Sequence, residues 1–334
     1  MEREVFGKAP DGSAVARVVL GGGGLTLSLL SWGAIVQDLR LDGHTPALVI
    51  GYREFENYLK HSSYFGATAG RYANRIRDGR FSIDGASYQV DRNFLGKHML
   101  HGGSAGIAKR NWRFAEIGSD RAVLELEDRD GEMGFPGNCQ LQAVFSLPGD
   151  GRLSIRYEAQ CDAPTLVNIA HHSYFRLDGG PDILDHRMRI DADAYLPVDE
   201  ELIPTGEIAP VAGTAFDFRQ ERTIRFTGAG GQPVYDHNFC LSNGREALRE
   251  VAMVRSPKSG VAMAISTTEP GVQFYAGHKL DTPVAGLDGE RYGAFAGLCM
   301  EPQVWPDSPN NPEFPQAVLR PGEHYLQETE YRFG

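Results

Sequence analysis

Residues 139–160, CQLQAVFSLPGDGRLSIRYEAQ, decide the fold class. Leu141, Ala143, Phe145 and Leu147 recur at every second position, and Leu153, Ile155, Tyr157 and Ala159 do so again. Gly149-Asp150-Gly151 interrupts the two runs. Period two is the repeat of a half-buried strand, and a short Gly/Asp break between two such runs is a hairpin turn. The same punctuated pattern returns in LTLSLLSW (25–32), PALVIGY (46–52), RFSIDGASYQV (80–90), RAVLELEDRDG (121–131), RMRIDADAYLPV (187–198) and GVAMAISTTEPGVQFYAG (260–277). Only a short turn around Phe55 to Lys60 reads as helical. No linker, repeat or low-complexity stretch divides the chain, so the expectation is an all-β protein, one domain over residues 1–334, built as a large sandwich.

Composition narrows the partners. The chain has 334 residues, a hydrophobic fraction of 41%, a charged fraction of 23% and a formal charge of −11. A grip on nucleic acid or on an anionic membrane needs clustered Lys and Arg, so neither is expected, and a small neutral solute is. MEREVFGKAPDG at the start has no basic segment followed by an apolar one, and no run is long enough to span a bilayer, which places the chain in the cytoplasm as an expectation. Cys139, Cys161, Cys240 and Cys299 form no CxxC pair and read as free thiols. Gly21 to Gly24 resemble a phosphate loop only superficially, because the strand-like LTLSLL follows instead of a helix, and they read as a flexible hairpin turn.

Polar chemistry concentrates in a few segments. In NIAHHSYFRL (168–177) an extended backbone sends His171 and His172 to opposite faces. His171 shares its face with Ile169, Ser173, Phe175 and Leu177, a core-like set. His172 shares its face with Asn168, Ala170, Tyr174 and Arg176, which suit a polar cleft, so parity favours His172 as the functional residue. Glu301 follows an apolar strand and precedes Pro302, the position of either a solvated strand end or a catalytic carboxylate. Arg71, Asn74, Arg75 and Arg77 lie among glycines, His101 precedes Gly102 and Gly103, and Asp236, His237 and Gln273 are flanked by aromatic residues. Aromatic faces with scattered hydrogen-bonding groups suit a sugar, which offers apolar CH faces and a rim of hydroxyls. A metal site is not expected, because adjacent histidines on a strand cannot share one face.

Taken together these segments resemble the aldose 1-epimerase, or galactose mutarotase, family. The resemblance runs through FGATAGRYANRI (65–76), LHGG (100–103) with Gly106 and Trp112, DGEMGFPG (130–137), HHSYFRL (171–177) and YLPVDEELIPTGEIAPVAGTAFDFR (195–219). It continues through YDHNF (235–239), EPGVQFY (269–275), MEPQVWPDSPN (300–310) and FPQAVLRPGEHY (314–325). It implies a β-supersandwich enzyme, without metal or organic cofactor, that interconverts the α and β anomers of free aldoses such as galactose and glucose. It further implies that Glu301 is the base taking the C1 hydroxyl proton and His172 the acid protonating the ring oxygen. His101 would assist at the ring oxygen and C1, Asn74, Arg75, Asp236 and Gln273 would bind hydroxyls, and Ser173 and Tyr174 would line the site. A monomer or homodimer is compatible with this reading.

Opening a hemiacetal removes a proton from O1 and adds one to O5, so a base and an acid must face different parts of the ring. Three positions depart from the family pattern: His171 and Arg176, where Asn is common, and Trp305, where a smaller aromatic is frequent. Two rival readings remain in view: a sugar-binding protein without catalysis, and an enzyme of sugar phosphates suggested by Arg71, Arg75 and Arg77.

Overall fold

The computed structural model describes residues 3–228 and 230–334. The deciding segment is a hairpin: Cys139–Gly149 and Arg152–Cys161 pair antiparallel from Cys139↔Cys161 to Gly149↔Arg152. Asp150 and Gly151 form the turn with φ of 52° and 65°, the doubly left-handed turn whose twist matches the strands. The glycines at 21–24 do the same work. Ala14–Gly22 and Leu25–Leu30 are joined by Gly23-Gly24 at φ 59° and 82°. The two hairpin tips touch: Gly151 N–H donates to the Gly23 carbonyl at 2.9 Å, and a Cβ on Gly23 would lie 2.5 Å from Gly149 Cα.

Three antiparallel sheets carry the architecture. The first four strands, Glu4–Lys8, Ala14–Gly22, Leu25–Leu30 and Ile35–Leu41, pair in chain order. A nine-stranded sheet runs in the order Arg113–Ile117, Arg121–Asp128, Cys139–Gly149, Arg152–Cys161, Tyr325–Phe333, Ala262–Thr267, Arg249–Arg255, Arg187–Ile190, Arg222–Thr223. A six-stranded sheet runs Tyr174–Phe175, Leu298–Gln303, Gly271–Tyr275, Asp236–Cys240, Ala194–Tyr195, Ala209–Pro210. One hydrophobic cluster joins them: Leu27 and Leu29, then Phe145, Ile155 and Tyr331, then Phe239, Val272, Phe274 and Met300. This is the all-β sandwich expected from the sequence, with a single α-helix at Phe55–His61 among the described residues.

Some strands expected from pattern are modified by packing. PALVIGY forms no strand; Val49 makes only an isolated bridge to Phe175, although Ala47 to Ile50 are all buried. NIAHHSYFRL is split at Ser173, so that Ala170–His172 pairs with Ala67–Ala69 while Tyr174–Phe175 joins the six-stranded sheet. Cys139 and Cys161, distant in sequence, are register partners, and both are free thiols.

Arg71, a candidate phosphate ligand from sequence, is instead a buried clamp. Its Nε donates to Asp128 Oδ2 at 2.7 Å, Nη1 to the Pro136 and Gly137 carbonyls, and Nη2 to the Asp128 carbonyl. The guanidinium thereby ties residues 128–137 to the core with every donor directed inward. Truncating one partner of a buried, hydrogen-bonded ion pair typically costs about 3–5 kcal/mol. Arg71→Ala is therefore expected to lower unfolding free energy by about that much in urea titration; a loss no larger than that of a surface substitution would refute the clamp.

His171 faces the core, with ring centroids 5.9 Å from Tyr331 and 6.3 Å from Phe145. Neither ring nitrogen has a partner among the described residues, and burial pushes its pKa down to about 3. A histidine buried neutral is protonated more readily when unfolded. Its stabilising contribution is therefore complete above about 6.5 and erodes as pH falls from there toward about 3. His171→Asn is expected to reduce the loss of stability between pH 7 and pH 5 by up to about 2 kcal/mol, read from urea titrations at the two pH values. An unchanged difference would contradict the buried, neutral imidazole.

Candidate active site

The six-stranded sheet presents opposite characters on its two faces. Phe239, Val272, Phe274, Leu298 and Met300 point into the core, and the alternate residues Asp236, Gln273, Tyr275, Cys299 and Glu301 point away from it. Register places Gln273 beside Glu301, and Asp236, Tyr275 and Cys299 in one row. Against this polar face stand Tyr64, Asn74, Arg75 and His101 from the segments before and after the Arg75–Ile76 and Met99–Leu100 pairing, and His172 and Tyr174 from the split strand. Together they enclose a cavity of about 330 Å³. Two larger surface hollows, near Arg176 and near Trp32, are lined by no histidine.

Parity separates the two histidines as the sequence implied: His172 lines the cavity and His171 is in the core. His172 Nε2 lies 3.6 Å from Glu301 Oε1. His101 closes the group, its ring centroid 5.0 Å from that of His172. The Asn74 backbone N–H donates to His101 Nδ1 at 3.2 Å, and the His101 N–H returns a bond to the Asn74 carbonyl at 2.9 Å. With Nδ1 accepting, the neutral His101 ring carries its proton on Nε2 and offers a donor to the cavity.

That tautomer also bears on metal binding. One ligand atom each from His101, His172 and Glu301 falls within 4.8 Å of the others, a spacing that suggests a metal site. A neutral histidine ligates through an unprotonated nitrogen, and the free nitrogen of His101 is the protonated one, so the donor set does not fit a cation.

The hydroxyl-binding candidates form a network. Gln273 Nε2 donates to Asp236 Oδ1 at 2.7 Å; Arg75 Nη2 donates to Asp236 Oδ2 at 3.4 Å and Nη1 to Asn74 Oδ1 at 3.3 Å. Arg75 lies 4.8 Å over the Phe94 ring, which holds the fork in place. Glu301 Oε2 and Gln273 Oε1 are buried without a protein partner among the described residues and are free to meet a ligand.

Burial dominates the electrostatics. It pushes the Glu301 carboxyl well above the usual carboxylate range, reinforced by Asp236 and opposed by Arg75. It pushes His172 down to about 4, and His101 well below its ordinary value with help from His172 and Arg75. Burial alone would raise Asp236 too, but Arg75 and the Gln273 bond outweigh it and hold that carboxyl low. Asp236 is thus held toward its charged form, while burial favours the uncharged forms of Glu301 and His172.

Of the residues singled out from sequence, Glu301, His172, His101, Asn74, Arg75, Asp236, Gln273 and Tyr174 line the one cavity. Ser173 does not: strand alternation turns it to the side of His171, where its hydroxyl is buried. Arg176, placed by parity on the His172 face, lies beyond the sheet end and pairs with Glu290, and Asn168 instead bonds the Val304 backbone. Arg77 bonds the Pro204 carbonyl outside the cavity, so only Arg75 of the three candidate phosphate arginines is present, already engaged by Asp236. Trp305 is buried, donating to the Pro270 carbonyl at 2.8 Å. The sequence reading missed Tyr64, Phe94, Tyr275 and Lys279 as lining residues. Tyr275 was accessible by counting two from Gln273 along the strand; Tyr64, in a left-handed conformation at φ 63°, carried no periodic signal.

Comparison with known proteins agrees over the whole fold. The Aldose 1-epimerase family model matches residues 16–332. The galactose mutarotase of Rattus norvegicus is 42% identical over 99% of this chain and 98% of its own length. The aldose 1-epimerase of Escherichia coli K12 is 38% identical over 100% and 99%. Among solved structures, a GalM/aldose epimerase homologue from C. elegans superposes with a TM-score of 0.89 at 30% identity, covering 96% of this chain and 99% of that one. Galactose 1-epimerase from Lactobacillus acidophilus gives 0.84 at 27%, covering 100% and 99%. With its two-faced sheet, Glu301 and His172 together at one cavity and this breadth of similarity, the chain belongs to the aldose 1-epimerase family.

Proposed function

We propose that Glu301 and His172 interconvert the α and β anomers of a free aldose, such as galactose or glucose, by ring opening and reclosure. The observation carrying this reading is the separation of 3.6 Å between two buried proton carriers in a cavity of about 330 Å³ rimmed by hydroxyl-binding groups. Glu301 as carboxylate takes the O1 proton; His172 as imidazolium gives one to the ring oxygen; the C1–O5 bond opens to an aldehyde. Rotation about C1–C2 presents the other carbonyl face, and closure returns both protons. His101, through Nε2–H, supports the oxygen on which charge develops. Asp236, Gln273, Arg75 and Asn74 hold the remaining hydroxyls, and Tyr174 and Tyr64 face the apolar side of the ring.

Burial favours protonated Glu301 beside neutral His172, whereas ring opening starts from the carboxylate and imidazolium. Both states hold one proton, so their balance does not change with pH. Activity falls only when a second proton is added or the first is lost. The plateau of kcat/KM against pH should extend downward past 6.5, because His172 in the protonated pair has a pKa near about 4. An acid limb centred at or above 6.5 would contradict this.

Glu301→Gln and His172→Asn are each expected to lower kcat by about 10² to 10⁴, followed by polarimetry of freshly dissolved α-galactose or α-glucose. His171→Asn should leave kcat within about threefold, since its side chain is across the sheet from the reacting groups. Equal losses from both histidines would defeat the assignment. Sugar phosphates are not favoured, because Arg75, the one candidate phosphate arginine lining the cavity, is already engaged by Asp236; a hexose 6-phosphate should compete no better than the free hexose.

The setting we infer is the cytoplasm, in hexose metabolism, with residues 1–334 acting as one domain and the enzyme a monomer or homodimer. Four free thiols support a reducing compartment. No helix of the described residues is long and apolar enough to cross a membrane.

A further inference from the structure

The geometry points to Cys299 as a positioning residue for the acid: its sulfur accepts the Nδ1–H of His172 and thereby keeps Nε2 free to exchange a proton with the sugar. The inference rests on His172 acting as the acid, as proposed above. Cys299 Sγ lies 3.6 Å from His172 Nδ1, and among the described residues it is the only side chain at hydrogen-bonding distance from that nitrogen. The opposite nitrogen, Nε2, faces Glu301 at the same separation of 3.6 Å. The ring is therefore spanned between two residues of a single strand, Leu298–Gln303, on which Cys299 and Glu301 are two apart and share a face.

Proton bookkeeping selects the tautomer. After His172 gives the Nε2 proton to the ring oxygen, the neutral ring must keep its remaining proton on Nδ1, so that Nε2 can recover a proton on closure. An acceptor at Nδ1 stabilises that form, since the partner of one nitrogen decides which nitrogen is protonated. Cys299 qualifies. It is fully buried, and burial, reinforced by the negative charges of Glu301 and Asp236, drives its pKa well above the ordinary thiol value; a hydrogen bond with Tyr174 works the other way without reversing this. It thus remains a neutral thiol, with a lone pair available toward Nδ1.

A thiol differs from a carboxylate in this position. A carboxylate would stabilise the imidazolium and make the acid weaker, whereas a neutral sulfur orients the ring without adding charge. That agrees with a His172 depressed to about 4. The other groups facing the ring are its own backbone, whose hydrogen bond opposes the effect of burial, Glu301 at Nε2, and His101, Tyr64 and Tyr174 around it, with Asp236 and Arg75 acting at longer range.

The test combines a tautomer measurement with kinetics. Nitrogen-15 NMR of the wild-type protein labelled at histidine, above the His172 pKa, should show His172 protonated at Nδ1 and bare at Nε2; the reverse would overturn the proposal without any reference to turnover. Cys299→Ala should lower kcat about tenfold, the worth of one neutral hydrogen bond, with KM within about twofold and the tautomer preference lost. Cys299→Ser, which keeps an acceptor, should restore most of kcat, and Cys299→Asp should move the acid limb of the pH profile upward. An alanine variant with wild-type kcat and tautomer, or a serine variant no better than alanine, would refute the role. Should the alanine variant fail to fold, the wild-type spectrum and the serine variant still decide. Absence of anomerisation by the wild type would instead strike the reading of His172 as an acid.

Discussion

Side-chain alternation across the six-stranded sheet is the constraint on which the rest of the structure depends. A strand that contributes Phe274 to the core at one position must send Gln273 and Tyr275 to the opposite face, and its neighbour that contributes Met300 must send Cys299 and Glu301 there. The hydrophobic demand of the sandwich therefore sets the angular position of Asp236, Gln273 and Glu301. The cleft is the reverse side of the core. A register slip of one residue would exchange the two and bury Phe274 in the site.

The same packing supplies the chemistry with its energies. Groups on that face are removed from water by the segments carrying Tyr64, His101 and His172, so a carboxyl rises and imidazoles fall in pKa without any dedicated charge partner. Where a fixed charge is needed the structure supplies one explicitly: Arg75 holds Asp236 ionised against the same burial. Two carboxylates on one face are thus shifted in opposite directions because only one of them touches an arginine. His171 shows the cost of the arrangement, a polar ring in the core with no partner among the described residues, adjacent to the residue whose orientation the strand must preserve.

Much of this was legible from local pattern, and the exceptions have local causes. Asp150-Gly151 and Gly23-Gly24 announced hairpins because only such residues adopt two consecutive left-handed conformations cheaply. Parity separated His172 from His171 despite the break at Ser173, since the chain stays extended through it while changing sheets. Parity also argued against Ser173 as a lining residue, and the expectation drawn from the resemblance gave way to it. PALVIGY looked like a strand because it is apolar, yet burial and pairing are separate properties, and its backbone finds only one bridge. Arg71 and Arg75 are indistinguishable as symbols four residues apart; one meets the carbonyls of residues 128–137, the other faces the cavity.

By itself the sequence determined the fold class, the turns and the face of each strand residue, because these follow from periods and backbone preferences that act over a few positions. Its motifs also named the candidates for acid, base and sugar binding. Only the tertiary structure decided which candidates meet: that Glu301 and His172 are 3.6 Å apart, that Arg71 and Ser173 serve the interior, and that Cys299 and Tyr64 lie against His172. Proximity between segments more than a hundred residues apart depends on how sheets stack, and desolvation depends on what covers them. Neither quantity is written in any local stretch of the chain.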